Sequence, residues 1–178
     1  VPELPEVESL AAFLRERAVD HALVRADITA ISALKTYDPP VSALAGLVIE
    51  NVHRHGKFLD LEAQGLHLVI HLARAGWLRW REEQPKTMLR PGKGPIAFRA
   101  VLDDDSGFDL TEAGTQKKLA VYVVRDPAEV PGISRLGPDP FTLDEDAFGD
   151  IMKKAGRSQL KGVLRDQSVI AGIGNAYS

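Results

Sequence analysis

LVIENVHRHGKFLDLEAQGLHLVIHL, residues 47–72, is the stretch whose reading decides the fold. Within it LVIENVHRH (47–55), KFLDLEA (57–63) and HLVIHL (67–72) are rich in branched apolar residues. Much of the run alternates apolar with polar, the period-two signature of half-buried strands. Gly56 sits between two strand-like halves in RHGK, so it is read as the turn of a hairpin with Lys57 directly after it. Downstream of a first candidate, LVRADITAI (23–31), and beyond these three, the same signature recurs in WLRWR (77–81), IAFRAVLD (96–103), GFDLTE (107–112) and KLAVYVV (118–124). About eight short strands with no helix between them predict an antiparallel sandwich or barrel. EEQPKTMLRPGKGP (82–95) is polar and rich in Pro and Gly, which makes it a loop.

On either side of the strands the period changes. From Glu6 onward Val7, Leu10, Ala11, Leu14 and Ala18 recur at helical spacing, which predicts a helix ending near Asp20. RDPAEVPGISRLGPDPF (125–141) is Pro-rich and reads as a linker. Thr142 followed by Glu145 forms a capping box opening a helix to about Ala155, and Ser158 is placed to cap a second, LKGVLRDQ (160–167). The fold class is therefore α+β: an N-terminal helix and antiparallel β-sandwich over 1–130, then a linker and the start of a helical domain over 131–178. The chain stops just after the glycines of IAGIGNAYS (170–178), and a longer natural protein is expected to continue there.

Composition narrows the function classes. With 44% hydrophobic residues the 178-residue chain can bury a core, and it has no apolar run of the roughly 20 residues a membrane helix needs. It has no cysteine, so neither a disulfide framework nor a thiolate zinc site can form within it. A cytoplasmic protein is expected. The net charge of −3 weighs against a nucleic-acid partner, but Lys153, Lys154, Arg157, Lys161 and Arg165 are gathered just ahead of GIGN (172–175). Glycines that expose backbone N–H groups near a helix terminus, with Asn175 beside them, suit a phosphate.

Three further places carry chemistry. VPELPEVESL (1–10) has an ordinary explanation as helix entry, with prolines presetting φ and glutamates at the positive end of the dipole. It has a chemical one as well. With the preceding residue removed, Pro2 is a secondary amine of pKa roughly 8 that can attack an aldehyde carbon, and Glu3 can shuttle protons beside it. RHGK (54–57) is either a solvated turn or a phosphate clamp. In IHLARAGWLRW (70–80), His71 by itself reads as a satisfied core histidine and Trp77 and Trp80 as core or edge aromatics. Arg74, flanked by alanines, is a long cation displayed on a short connection.

Taken together, PELPEVE (2–8), HGKFLDL (55–61), RLGPDP (135–140) and LKGVLRDQSVIAGIGN (160–175) resemble the formamidopyrimidine-DNA glycosylase/endonuclease VIII family. The resemblance spans the whole chain and about the first two thirds of a typical member. It implies that the helical part is the start of an incomplete helix–two-turn–helix domain, with DNA in the cleft beside it. It implies a base-excision repair glycosylase with abasic-site lyase activity, in which Pro2 attacks C1′ of a damaged nucleotide and β- then δ-elimination nicks the strand. Glu3 would be the proton shuttle, and Lys57 would contact phosphate and assist catalysis. His71, Lys161 and Asn175 would grip the DNA backbone, and Arg74 stands where the family's void-filling methionine falls. No metal or other cofactor is implied in this chain, any zinc finger lying beyond residue 178. The partner is duplex DNA with a damaged or abasic nucleotide, the protein a nucleoid-associated monomer. A non-catalytic binder of damaged DNA is the alternative, and a sandwich used only for protein contacts a third reading.

Overall fold

The computed structural model describes residues 2–87, 95–114 and 117–136. The capping box at Thr142, the two helices after it and the glycine turn lie outside the described residues, as does part of the 82–95 loop. Helix α1, Leu4–Arg17, is followed by eight strands: β1 Leu23–Ile28, β2 Asn51–His55, β3 Phe58–Ala63, β4 Leu66–His71, β5 Gly76–Arg81, β6 Ile96–Leu102, β7 Gly107–Glu112 and β8 Ala120–Val124. They form two four-stranded sheets, ordered β1-β6-β7-β5 and β2-β3-β4-β8, with every strand pair antiparallel.

The alternation read from the sequence is the alternation that closes the sandwich. Leu59 and Leu61 of β3, Leu68 and Ile70 of β4, and Val121 and Val123 of β8 face Phe98, Ala100 and Leu102 of β6 and Phe108 and Leu110 of β7 in one buried core. Helix α1 packs along β2 and adds Val7, Ala11 and Leu14 to that core, while its Phe13 ring meets Trp80 edge-on at 5.7 Å. The helix thus lies over sandwich edge strands, with its N-terminus at one end of the sheets. It starts at Leu4, earlier than its apolar stripe predicts, because Glu3 and Glu6 form a reciprocal capping box around the first turn.

On the outer face of the first sheet, β7 buries a carboxylate. Asp109 accepts from Arg99 Nε at 2.7 Å and Arg99 Nη2 at 2.9 Å, a bidentate pair, and also from Arg81 Nε at 3.0 Å and Gln84 Nε2 at 3.1 Å. Burial pushes the Asp109 carboxyl up, but these donors outweigh it and hold it below the ordinary carboxylate range. Its folded pKa is depressed, so its stabilising contribution is present above the unfolded value of about 3.9 and lost as the pH falls through the folded one. Asp109→Ala strands a buried guanidinium and is expected to cost about 3–5 kcal/mol in urea unfolding. The variant should also lose part of the wild type's acid sensitivity.

Residues 125–136, the first part of the Pro-rich stretch, carry two short helical turns, Pro127–Glu129 and Pro131–Ser134. Val130 is fully buried and packs with Phe58, Val69 and Val124 on the outer face of the second sheet, where Ile133 and Leu136 join it. The chain therefore leaves the sandwich across Phe58, the residue next to Lys57.

Candidate active site

Three turns converge at the end of the sandwich that holds the start of α1. The first is the cap of the helix itself. Pro2 is buried there, and the Glu6 carboxylate accepts the Glu3 backbone N–H. A capping box with glutamate at the cap fixes where the Glu3 side chain points, so the first turn is a rigid mount for residues 2 and 3.

The second is the β2–β3 hairpin. His55 and Phe58 pair across a two-residue loop in which Gly56 adopts φ +58°. That is the glycine-first pattern of a type II′ turn, and a side chain at that position would be strained. The turn sends Lys57 toward the helix cap, where its Nζ lies 2.9 Å from Glu3 Oε2. Both side chains are largely buried, so their attraction is little screened.

The hairpin is tied to the helix a second time. Arg54, only 4% exposed, donates through Nε to the Glu8 carboxylate and through Nη1 to the Gly56 carbonyl at 2.9 Å. One guanidinium therefore links α1, which carries Pro2 and Glu3, to the turn that carries Lys57.

The third is the β4–β5 connection. His71 pairs with Phe58 across the ladder, their rings 4.7 Å apart, and its Nδ1 accepts the Ala73 backbone N–H at 3.0 Å. The ring proton must then sit on Nε2. Burial, and then the Lys57 charge nearby, hold the His71 pKa below its ordinary value, so the ring is a neutral donor at physiological pH. The turn closes with Gly76 N–H on the Leu72 carbonyl at 2.9 Å. A Cβ on Gly76 would lie 2.1 Å from that oxygen, so only glycine allows so tight a turn. Arg74 is exposed at its tip, beside Ala73 at φ +58°.

The structure thus brings Glu3 and Lys57 into direct contact, sets His71 beside Lys57 and displays Arg74 on the neighbouring turn. Lys161 and Asn175 lie outside the described residues. Pro2 stands next to Glu3 but is buried rather than open. Sequence reasoning set Glu6 at the positive end of the helix dipole but missed its reciprocal cap with Glu3, and it missed the contact between Glu8 and Arg54. Glu8 and Arg54 both fall in strongly patterned stretches, but their contact joins residues 46 positions apart. Among the described residues, no helix is long and apolar enough to cross a membrane.

The chain has known relatives. The model of the formamidopyrimidine-DNA glycosylase N-terminal domain matches residues 1–116. A formamidopyrimidine-DNA glycosylase of Listeria monocytogenes is 32% identical over all of this chain, which covers 64% of that protein. One of Moorella thermoacetica is also 32% identical, with 65% of it covered. Among solved structures, the complex between Lactococcus lactis Fpg and DNA containing an abasic site superposes with a TM-score of 0.76 at 23% identity. That match covers 99% of this chain and 64% of the other. MutM in complex with DNA containing carbocyclic 8-oxo-G gives 0.76 at 24% identity, with 99% and 66% covered. At these identities the structural likeness is one of fold. The chain spans just under two thirds of the length of the curated relatives it matches. With the family model covering most of its length, in a two-sheet sandwich capped by the same N-terminal helix, the chain belongs to the formamidopyrimidine-DNA glycosylase family.

Proposed function

We propose that this chain is the N-terminal part of a base-excision DNA glycosylase with abasic-site lyase activity, acting on duplex DNA that carries a damaged or abasic nucleotide. The observation that carries this reading is the Lys57 ammonium 2.9 Å from the Glu3 carboxylate, one residue from the Pro2 nitrogen. An amine and a proton carrier, neighbours at the helix cap, thus share one end of the sandwich with a cation from the hairpin turn. Family membership and the relatives' names support the same chemistry.

The steps balance as follows. Extruding the nucleotide from the helix costs a few kcal/mol, least where the base is already poorly paired. The Pro2 nitrogen, as a free amine, donates its lone pair to C1′ while the N-glycosidic bond breaks and its electrons leave with the base, which takes up a proton. Pro2 gives up its N–H proton, which balances the one taken up by the base, and Glu3 delivers a proton to O4′ as the C1′–O4′ bond opens, leaving an iminium Schiff base between Pro2 and C1′. Loss of a C2′ proton then expels the 3′ phosphate, a second elimination expels the 5′ phosphate, and water releases the sugar fragment from Pro2.

Lys57 has two states in this scheme. Without DNA it neutralises Glu3. An arriving phosphate competes for the ammonium, which frees the Glu3 carboxylate to move protons. His71 Nε2–H and Arg74 lie on the turn beside it, as a neutral and a charged donor for the backbone around the extruded nucleotide. The family resemblance assigns Lys161 and Asn175 to the same DNA-backbone grip. The chemistry as proposed uses no metal, and the expected setting is the bacterial nucleoid.

The test is nicking of a duplex with a single abasic site, followed over a salt series. Scission that weakens steeply with salt supports the enzyme. Salt-sensitive binding with no scission by a chain starting at Pro2 would favour the non-catalytic binder. Salt-insensitive or absent binding would leave only protein contacts.

A further inference from the structure

Phe58 directly follows Lys57, and its ring, on the outer face of the second sheet, touches both the site and the linker. Its contact with the site is His71, whose ring centre is 4.7 Å away with the planes at 65°. Its contact with the linker is Gly132, in the helical turn Pro131–Ser134. A Cβ on Gly132 would lie 2.5 Å from Phe58 Cζ and 2.9 Å from Cε2. Carbons in good contact stand ~3.5–4.0 Å apart, so the linker backbone is seated directly on the ring. The Gly132 φ lies outside the left-handed region, so the turn itself would admit any residue. What excludes a side chain there is Phe58.

The linker is fixed where it makes this contact. Asp126 and Glu129 form a reciprocal capping box around the turn before it, and Val130 is fully buried against Phe58, Val69 and Val124. The Ile133 and Ser134 N–H groups both donate to the Val130 carbonyl, which holds the turn that carries Gly132. The ring is confined too. Its backbone pairs with His55 on one side and His71 on the other, and Tyr122 stands 6.5 Å away.

The contact matters because of what His71 does next. Its Nδ1 accepts the Ala73 N–H, which keeps Nε2 as the donor and holds the turn that displays Arg74. Close-packed groups pass a displacement on to their neighbours. A shift of the phenyl ring therefore tilts the imidazole and loosens that turn.

We propose that Phe58 is a positioning residue of the active site and that the linker sets its position through Gly132. With the linker seated on the ring, His71 and Lys57 are held in the arrangement that receives a phosphate. The inference rests on the reading of His71 and Lys57 as donors to the DNA backbone and adds a control to it. The placement of the linker is felt at the hairpin turn, and its release frees the imidazole to rotate.

The experiment adds one methyl group, Gly132→Ala, to a chain that starts at Pro2. Two quantities are measured: the His71 titration by NMR without DNA, and single-turnover nicking of an abasic duplex. Burial, and then Lys57, hold the His71 pKa below its ordinary value, so a loosened ring should titrate higher, toward ~6.5. The midpoint of His21, which is bonded to Asp103, should not move. Nicking should fall about 10-fold or more, since a misplacement of ~1 Å can cost ~10²-fold. Phe58→Leu should produce the same two changes, and adding Gly132→Ala to it should alter nicking by less than about 2-fold.

An unchanged His71 titration would show that the ring does not pass the displacement on. A raised one with wild-type nicking would show that the position of His71 does not matter to the chemistry. A shift of both histidines, or a full further loss from Gly132→Ala in the Phe58→Leu chain, would show general damage rather than this contact. Each of these results overturns the proposal. A wild-type chain that nicks nothing removes the enzyme reading instead, and the His71 titration then decides the coupling by itself.

Discussion

A chain that begins at Pro2 is expected to be captured covalently on abasic-site DNA by borohydride, and the same chain with Val1 still attached is expected not to be. The reason lies in one nitrogen. An N-terminal proline is a secondary amine with a pKa of roughly 8, so an appreciable fraction carries a free lone pair at neutral pH. Attack on the C1′ aldehyde gives an iminium ion, which borohydride reduces to a stable amine. With Val1 in place the same atom is an amide nitrogen whose lone pair is delocalised into the carbonyl, and it cannot add to an aldehyde. The loss should be complete within detection, at least ~100-fold. The fold should not change, because α1 is capped by Glu3 and Glu6 and neither depends on residue 1. Equal melting temperatures for the two chains would show that the comparison is one of chemistry alone.

Glu3→Gln should leave binding of an abasic duplex within about 3-fold and slow its single-turnover nicking by about 10²–10⁴-fold, the range for losing a positioned general acid or base. Glutamine keeps a side-chain oxygen for the Glu6 backbone N–H, so the cap survives and the mount stays in place. What disappears is the group that can carry a proton, together with the partner of the Lys57 ammonium. A nicking rate equal to wild type would remove Glu3 from the proton-transfer role. A parallel fall in binding would show that Glu3 works instead through the placement of Lys57.

Much of the sandwich was legible because strands announce themselves locally. All eight strands fall where apolar residues alternate between turn residues, and the Gly56 hairpin was readable from RHGK alone. How the strands divide between two sheets was not. β5 pairs with β7 and β1 with β6, and such neighbours are chosen by packing across the core rather than by any local pattern. Pro5 suits the first turn of the helix, as found, but the residue at the cap was not legible for a similar reason. A glutamate at the cap is unusual, and only the reciprocal contact with Glu6 shows that Leu4 already belongs to the helix.

Within the site, the residue types at Pro2, Glu3 and Lys57 could be picked out one at a time, but nothing local says that the hairpin lysine reaches the helix cap. Their roles came from the resemblance, and their contact came from the fold. Trp77 and Trp80 make the same point. Both sit in WLRWR, yet three residues along a strand places them on opposite faces, one against Phe13 and one in water.

The most direct test is to digest the borohydride-reduced complex and find, by mass spectrometry, which atom carries the sugar. The remnant should lie on the Pro2 nitrogen. A remnant on Lys57 Nζ, or on any other lysine, would show that the N-terminal proline is not the nucleophile and that the helix cap serves only the fold.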